Sequence, residues 1–174
     1  MTASFDAAGI VHLHHGEEDA DGILRDRVGA LLGLPPADIL VGRSCPRCGS
    51  STHGRPWARA RGRRDEVPVS LTRCGEHLMT AVDAPGTDRL GIDLESLAAV
   101  ARGWDPELVL HPSERAGAQQ SGPRERAALW ARKEAVLKAL GTGLETPMST
   151  VRLADFAVID LPAPPGHVAA LARL

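Results

Sequence analysis

Two short segments constrain the fold of this chain most strongly, one with the pattern of a strand and one with that of a helix. In residues 91–95 acids alternate with aliphatic residues, so a strand places Asp93 and Glu95 on the same face. Further along, Glu134 and Lys138 are four residues apart, so a helix places them on one face as well. The sequence therefore predicts three carboxylates and an ammonium between a strand and a helix. This set suits a hard cation and a phosphate.

Two simpler interpretations stay open for these residues. The acids of residues 91–95 can belong to a solvated strand face, and Glu134 with Lys138 can form a surface ion pair worth about 0.3–0.5 kcal/mol. Helical geometry, however, places that pair at the edge of the apolar stripe near Trp130, where it is partly shielded. We therefore expect Asp93, Glu95 and Glu134 to bind Mg²⁺, or Mn²⁺, together with a pyrophosphate. Lys138 would neutralise charge on a phosphoryl oxygen or leaving group.

Composition excludes several broad classes of function. The 174 residues carry a formal net charge of −2, which gives no general attraction to nucleic acid or to an anionic membrane. No apolar run approaches the roughly 20 residues of a membrane-spanning helix, and the first fifteen residues lack the pattern of a signal peptide. Three cysteines do not make a disulfide framework. We expect a cytoplasmic protein with reduced thiols.

Hydrophobic periodicity predicts an α+β fold. The predicted strands cover residues 10–14, 39–41, 67–71, 77–82, 89–94, 151–153, 156–161 and 167–171, and the predicted helices cover residues 18–32, 105–119 and 123–140. The basic segment 44–64 is predicted to be irregular. Each half reads as a strand, helical material and further strands. We therefore expect two similar lobes, 1–84 and 85–174, related by a pseudo-twofold axis with a site in the cleft between them.

Two features of the basic segment allow more than one interpretation. Arg55 begins a run of five arginines that ends at Arg64, either a solvated loop or a docking surface for phosphates or an acidic partner protein. Cys45 and Cys48 form a Cys-x-x-Cys pair that resembles half of a zinc site. Its other half would come from His53, from Cys74 or from the histidines near the N-terminus, none of which has the usual paired spacing. An unmetallated turn is the alternative.

Several motifs resemble those of the 4′-phosphopantetheinyl transferase superfamily. Residues 91–95 resemble its Gly-x-Asp-x-Glu motif, and residues 130–143 are similar, without a gap, to its Trp-x-x-Lys-Glu-Ala-x-x-Lys-x-x-Gly motif. Residues 54–56 resemble a Gly-Lys-Pro element with Arg in place of Lys, and residues 69–75 align with a Ser-His-containing strand turn. The cysteine pair followed by His-Gly-Arg-Pro is similar to the actinobacterial branch. The resemblance extends over residues 22–145.

This resemblance implies a two-lobed monomer of the surfactin-synthetase-activating type. Such an enzyme moves the phosphopantetheine arm of coenzyme A onto a serine of an acyl or peptidyl carrier protein and releases 3′,5′-ADP. It serves polyketide, non-ribosomal peptide or fatty-acid synthases.

The resemblance also implies a role for each residue that matches a motif. Glu134 would help to deprotonate the serine, and Lys138 would assist the leaving group. The residues expected to hold the coenzyme are Gly54, Arg55, Pro56, Ser70, Leu71, Thr72, Arg73, Asp93, Glu134 and Lys138.

The chain departs from the family pattern at further places. Thr72 and Arg73 stand where the family has Ser and His, the front of the chain is shorter, and the C-terminal tail ends early at Leu174. We expect these departures to weaken coenzyme binding or to make the protein depend on a partner. They motivate an alternative function, a catalytically weak relative that binds coenzyme A or a carrier protein. A zinc-stabilised interaction domain is a third hypothesis.

Overall fold

The structure, a computed structural model, describes residues 9–86 and 89–174, which contain both helices and strands. The predicted α+β class is confirmed. Residues 1–8, part of the stretch in which no signal-peptide pattern is found, lie outside the described residues. The strands are β1 (Val11–His15), β2 (Ile39–Ser44), β3 (Arg55–Ala60), β4 (Val69–Cys74), β5 (His77–Val82), β6 (Leu90–Ser96), β7 (Ala157–Leu161) and β8 (His167–Arg173). The α-helices are α1 (Ala20–Leu32), α2 (Leu97–Gly103), α3 (Pro106–Val109), α4 (Pro112–Ala118) and α5 (Pro123–Leu140).

The N-terminal half packs α1 against antiparallel strands. Helix α1 begins where the side chain of Asp19 accepts a hydrogen bond from the backbone N–H of Asp21, and it ends at Gly33 in the left-handed conformation. Its buried face, with Leu24 and Val28, lies against β2, β3 and β5. One sheet has the order β1-β5-β4, and β2 pairs with β3 as a separate hairpin.

Strand β3 corrects the prediction that residues 44–64 are irregular throughout. Within this strand Ala58 and Ala60 are buried, while Arg55 at its start is exposed, so the small residues face the core. Alanine and proline are depleted in strands, so the sequence of this segment does not indicate one. The pairing of β3 with β2 brings Arg55 opposite Ser44, at the end of the hairpin loop that contains the cysteine pair.

The C-terminal half packs α5 across the three-stranded antiparallel sheet β6-β8-β7. The prediction of one helix over residues 105–119 is wrong, since this segment forms the two short helices α3 and α4. The break occurs because Pro112 cannot continue α3 and instead occupies the first turn of α4. Helix α2 was not predicted. Residues 151–153 do not form the predicted strand. Val151 lies between two 3₁₀ turns and is buried, which explains its apolar character without a sheet.

The two halves share part of their hydrophobic core. One cluster joins Met79 and Ala81 of β5 to Leu90, Ile92 and other apolar residues of β6 and β8. Strand β4 lies beside β6, where the hydroxyl of Ser70 accepts a hydrogen bond of 3.1 Å from the backbone N–H of Ile92. The pseudo-twofold relation and the lobe boundary remain predictions. No helix among the described residues has the length and apolar character needed to cross a membrane.

Candidate functional site

Strand β6 carries Asp93 and Glu95 into the interior rather than onto a solvated face. Asp93 is only 3 % exposed, and Glu95 is half-buried. The alternate residues Ile92 and Leu94 enter the shared core, as the pattern predicts. Asp93 is buried because α5 covers β6 on its other side. The interpretation of a solvated strand face therefore does not apply to Asp93.

Gly91 allows α5 to approach β6 so closely. A Cβ atom on Gly91 would lie 2.0 Å from the carbonyl oxygen of Ala135 and 2.5 Å from the backbone nitrogen of Ala139. Only glycine therefore tolerates this contact between strand and helix. The sequence motif contains Gly91 but does not indicate its role. Its structural task is to hold α5, with Glu134 and Lys138, against the acids of β6.

The ammonium of Lys138 joins the helix to the strand. Its Nζ lies 2.7 Å from Oδ1 of Asp93 and donates to the carbonyl oxygen of Ile92 at 3.1 Å. Thr72 of β4 donates to the same Asp93 oxygen at 3.1 Å. The other oxygen of Asp93, Oδ2, is buried and has no hydrogen-bond partner among the described residues. A buried carboxylate oxygen without a hydrogen-bond partner is available as a ligand for a cation.

The carboxylates around Asp93 repel one another. Burial, followed by the charges of Asp93 and Glu134, raises the pKa of Glu95 to about 7, against the smaller effects of Lys138 and a hydrogen bond with Trp130. Burial and then Asp93 also raise the pKa of Glu134, which Lys138 partly offsets. A divalent cation would reduce the repulsion between these carboxylates and would give Oδ2 of Asp93 a partner. The residues therefore fit Mg²⁺ or Mn²⁺.

The three carboxylates do not yet form a closed coordination shell. Among the described residues, the one group of three potential ligands whose atoms lie within 4.8 Å of one another is elsewhere, at Cys45, Cys48 and His53. Asp93 is fixed by Lys138 and Thr72, whereas glutamates have longer side chains with more rotamers. Asp93 is therefore the most firmly held of the three carboxylates.

A cleft of about 550 Å³ adjoins this acidic cluster. Its walls include six of the residues predicted to hold the coenzyme, which are Gly54, Arg55, Pro56, Ser70, Leu71 and Lys138. The loop after α5, from Gly141 to Gly143, forms another part of the wall. Strands β3 and β4 and the end of α5 therefore meet at one concave surface, although their residues lie far apart in sequence.

Thr72 and Arg73 do not line that cleft. Thr72 is 5 % exposed and its hydroxyl is directed at Asp93, so it supports the acidic cluster. The guanidinium of Arg73 donates to the backbone carbonyl oxygens of Gly16 and, at 2.9 Å, of Glu18. In this arrangement Arg73 fastens the loop between β1 and α1 to β4.

Lys133 is a further residue of the helix motif whose role the sequence did not reveal. Its side chain is fully buried and lies on the side of α5 that faces α4. Its Nζ is 2.5 Å from a carboxylate oxygen of Glu114 and also donates to the backbone carbonyl oxygen of Val151. A lysine inside an otherwise helical apolar stripe is a signal for such a buried pair, although its partner cannot be identified from spacing.

Comparison with known proteins supports the resemblance that the motifs predict. A family model described as the 4′-phosphopantetheinyl transferase superfamily matches residues 89–173, the part that contains β6 and α5. This match confirms the resemblance to the superfamily over these residues. It is also 26 % identical over 157 residues to a 4′-phosphopantetheinyl transferase of Bacillus subtilis, which covers 84 % of this chain. The chain spans 62 % of the length of that relative. The acidic cluster thus lies within the matched part of the superfamily.

Proposed function

We propose that the chain transfers the 4′-phosphopantetheine arm of coenzyme A to a serine of an acyl or peptidyl carrier protein. The observation that carries this proposal is the position of Lys138. Its ammonium contacts Asp93 in the acidic cluster, and its side chain also lines the cleft beside Arg55 and Ser70. A pyrophosphate in the cleft would therefore meet the ammonium that is paired with Asp93. The match to the superfamily model supports the same reaction.

The acidic cluster would hold a divalent cation through Asp93, Glu95 and Glu134. Mg²⁺ bound there would neutralise the pyrophosphate of the coenzyme and stabilise charge on the phosphoryl oxygens. Asp93 has a free buried oxygen for this purpose, and its second oxygen is held by Lys138 and Thr72. Mn²⁺ suits the same oxygen ligands.

Glu134 would accept the proton of the carrier serine, directly or through a water. Its raised pKa makes it a better base than an exposed glutamate. The serine oxygen then forms a bond to the phosphorus that carries the pantetheine arm, and the bond between that phosphorus and the bridging oxygen breaks. Lys138 would stabilise the negative charge that develops on the leaving 3′,5′-ADP.

The cleft would hold the nucleotide part of the coenzyme. Arg55 offers a planar guanidinium suited to a phosphate, and Gly54 lets the backbone of this wall run close to Ser44. Ser70 and Leu71 contribute another part of the wall. For Thr72 and Arg73 we propose support of the acids and of the neighbouring loop. A phosphate contact by Arg73 would require its guanidinium to leave the carbonyls of residues 16 and 18.

Further parts of the proposal concern the molecule as a whole. We propose the surfactin-synthetase-activating type of the superfamily in its actinobacterial branch, as a cytoplasmic monomer with lobes 1–84 and 85–174. Polyketide, non-ribosomal peptide and fatty-acid synthases all use carrier proteins that this chemistry would serve.

Intact mass spectrometry tests the proposed reaction. Apo carrier proteins of the three synthase types are incubated with the full chain, coenzyme A and Mg²⁺, and a mass gain of one phosphopantetheine arm is expected on at least one carrier. Asp93→Ala and Glu134→Ala should each lower the rate by at least about 100-fold. Glu125→Ala, which removes a half-exposed carboxylate from the same helix, should retain the rate. Unmodified carriers throughout would contradict the proposal.

A second candidate is a module that binds coenzyme A or a carrier protein without turnover. The engagement of Arg73 with backbone carbonyls favours it, because this arginine is then not available to the coenzyme. Calorimetry distinguishes the two candidates: heat of coenzyme binding together with an unchanged carrier mass would support the module.

A further inference from the structure

The hairpin loop between β2 and β3 gathers three metal-binding side chains that the acidic cluster does not use. The ligand atoms of Cys45, Cys48 and His53 all lie within 4.8 Å of one another. Cys48 Sγ and His53 Nε2 are 3.4 Å apart. Two ligands of a tetrahedral zinc ion, with Zn–S of about 2.3 Å and Zn–N of about 2.0 Å, lie about 3.5 Å apart. The observed separation, which is also that of a hydrogen bond, matches the separation of two ligands on one zinc ion.

A hydrogen-bonded turn connects Cys45 with Cys48. Two backbone hydrogen bonds close it, from Gly49 N–H to Cys45 O at 2.9 Å and from Cys45 N–H to Ser50 O at 3.0 Å. Gly49 has a φ of 70°, which glycine adopts without strain. The turn therefore fixes the backbone that carries both cysteines.

The second part of the loop brings His53 back to the cysteines. The loop's ends are joined by the pairing of Ser44 with Arg55. Next to His53, Gly54 has a φ of 103°, and a Cβ atom there would lie 2.4 Å from Ser44 O. This close approach of the two backbones fixes the position of His53, which precedes β3. Cys48 and His53 are exposed, so a metal ion can reach the ligands from solvent.

We propose that Cys45, Cys48 and His53 bind one Zn²⁺ ion, with a water or small anion as the fourth ligand. Two thiolates and an imidazole are ligands that favour Zn²⁺ over the hard cation suited to the acidic cluster. The site is chemically distinct from the carboxylates. The cleft is lined by Cys45 and His53 of this site and by Lys138, which contacts Asp93. Since Cys45, His53, Gly54 and Arg55 line the cleft, the ion holds one of its walls in place.

Metal analysis and cobalt substitution test this site without reference to any activity. The full chain, purified without added chelator, is expected to contain about one zinc ion per molecule. Replacing zinc by Co²⁺ should produce thiolate-to-cobalt charge-transfer absorption. Both signals should be lost in Cys48→Ser and reduced in His53→Ala. Cys74→Ser, which removes the third free cysteine, and Asp93→Asn, in the acidic cluster, should keep them.

Circular dichroism of each variant establishes that the chain is folded when the metal is absent. Folded wild-type protein that binds neither zinc nor cobalt would overturn the proposal. Titration of free thiols then identifies the alternative state of the loop, a disulfide between Cys45 and Cys48 or two free thiols. Equal metal loss in Cys74→Ser would also overturn it, because this cysteine lies outside the cluster.

A second measurement concerns the cleft and rests on the proposed function. Removal of the zinc should weaken binding of 3′,5′-ADP by about 10-fold, since Arg55 follows the loop directly. If the nucleotide does not bind to either form, the proposed function fails, and the metal content still decides whether the zinc site exists.

Discussion

At the scale of single residues, the acidic cluster is organised around one buried carboxylate. Asp93 has one oxygen held by Lys138 and Thr72 and one with no partner among the described residues. Spacing alone predicted that Asp93, Glu134 and Lys138 would face a common region, because the periods of strand and helix are fixed. Spacing did not reveal Thr72, since its contribution depends on β4 lying beside β6.

Glu95 makes the stability of the cation-free protein depend on pH. Burial and the neighbouring acids raise its pKa from 4.5 to about 7 in the folded state. Its contribution to stability is therefore full below pH 4.5 and is lost as the pH rises through 7. Urea unfolding in the presence of a chelator should show wild type losing stability relative to Glu95→Gln over this range. Parallel pH curves for the two proteins would contradict this prediction.

At the scale of elements, the contact of β6 with α5 determines the position of the helical residues. The prediction of α5 was correct because its caps and length are strong local signals, with Pro123 in its first turn and Gly141 after its end. Strand β3 and the break between α3 and α4 depend instead on burial that is set by the tertiary structure. The same is true of Lys133, whose partner Glu114 lies on another helix.

Gly91→Ala tests the contact between β6 and α5. The new methyl group would overlap the backbone of Ala135 and Ala139, so α5 must move away. We expect the free energy of unfolding to fall by about 2–3 kcal/mol, measured by urea denaturation. The added methyl group should also reduce transfer to the carrier.

Gly103→Ala is the matched control for this substitution. Gly103 lies at the end of α2, where no atom is within 4 Å of an added Cβ. Its free energy of unfolding should be unchanged or up to about 1 kcal/mol higher. Equal destabilisation by both substitutions would mean that loss of glycine, rather than the helix contact, is responsible.

At the scale of the whole molecule, the shared core joins the two halves. Met79 and Ala81 lie in the same cluster as Leu90 and Leu171. A second link is the ion pair between Asp83 and Arg173, whose Nε lies 2.7 Å from Asp83 Oδ2. The sequence predicted the strands that supply these residues but not their common cluster, because nothing in hydrophobic periodicity tells which sheets share a core.

Because the two halves share a hydrophobic core, we expect them to unfold together. Fluorescence of Trp57 reports on the N-terminal half, and that of Trp104 and Trp130 on the C-terminal half, each measured after the other tryptophans are replaced by Phe. The two sets should give coincident urea transitions. Met79→Ala should lower the free energy of unfolding obtained from both transitions by about 2–4 kcal/mol. Leu13→Ala, at a side chain that is 49 % exposed, should change neither value. Separate transitions would show that the halves are independent.

The shared core also determines how the cleft can recognise a ligand. Strand β4 and strand β6, which carry Ser70 and Asp93, are tied together beneath it by the hydrogen bond from Ile92 to Ser70 and by apolar packing. The two halves are therefore held at a fixed separation, and we expect ligand binding to leave this separation unchanged. Ligand preference is therefore set by the side chains that line the cleft, among them Arg55 and the loop from Gly141 to Gly143. Substitutions of these residues can change the preferred ligand while the acidic cluster stays intact.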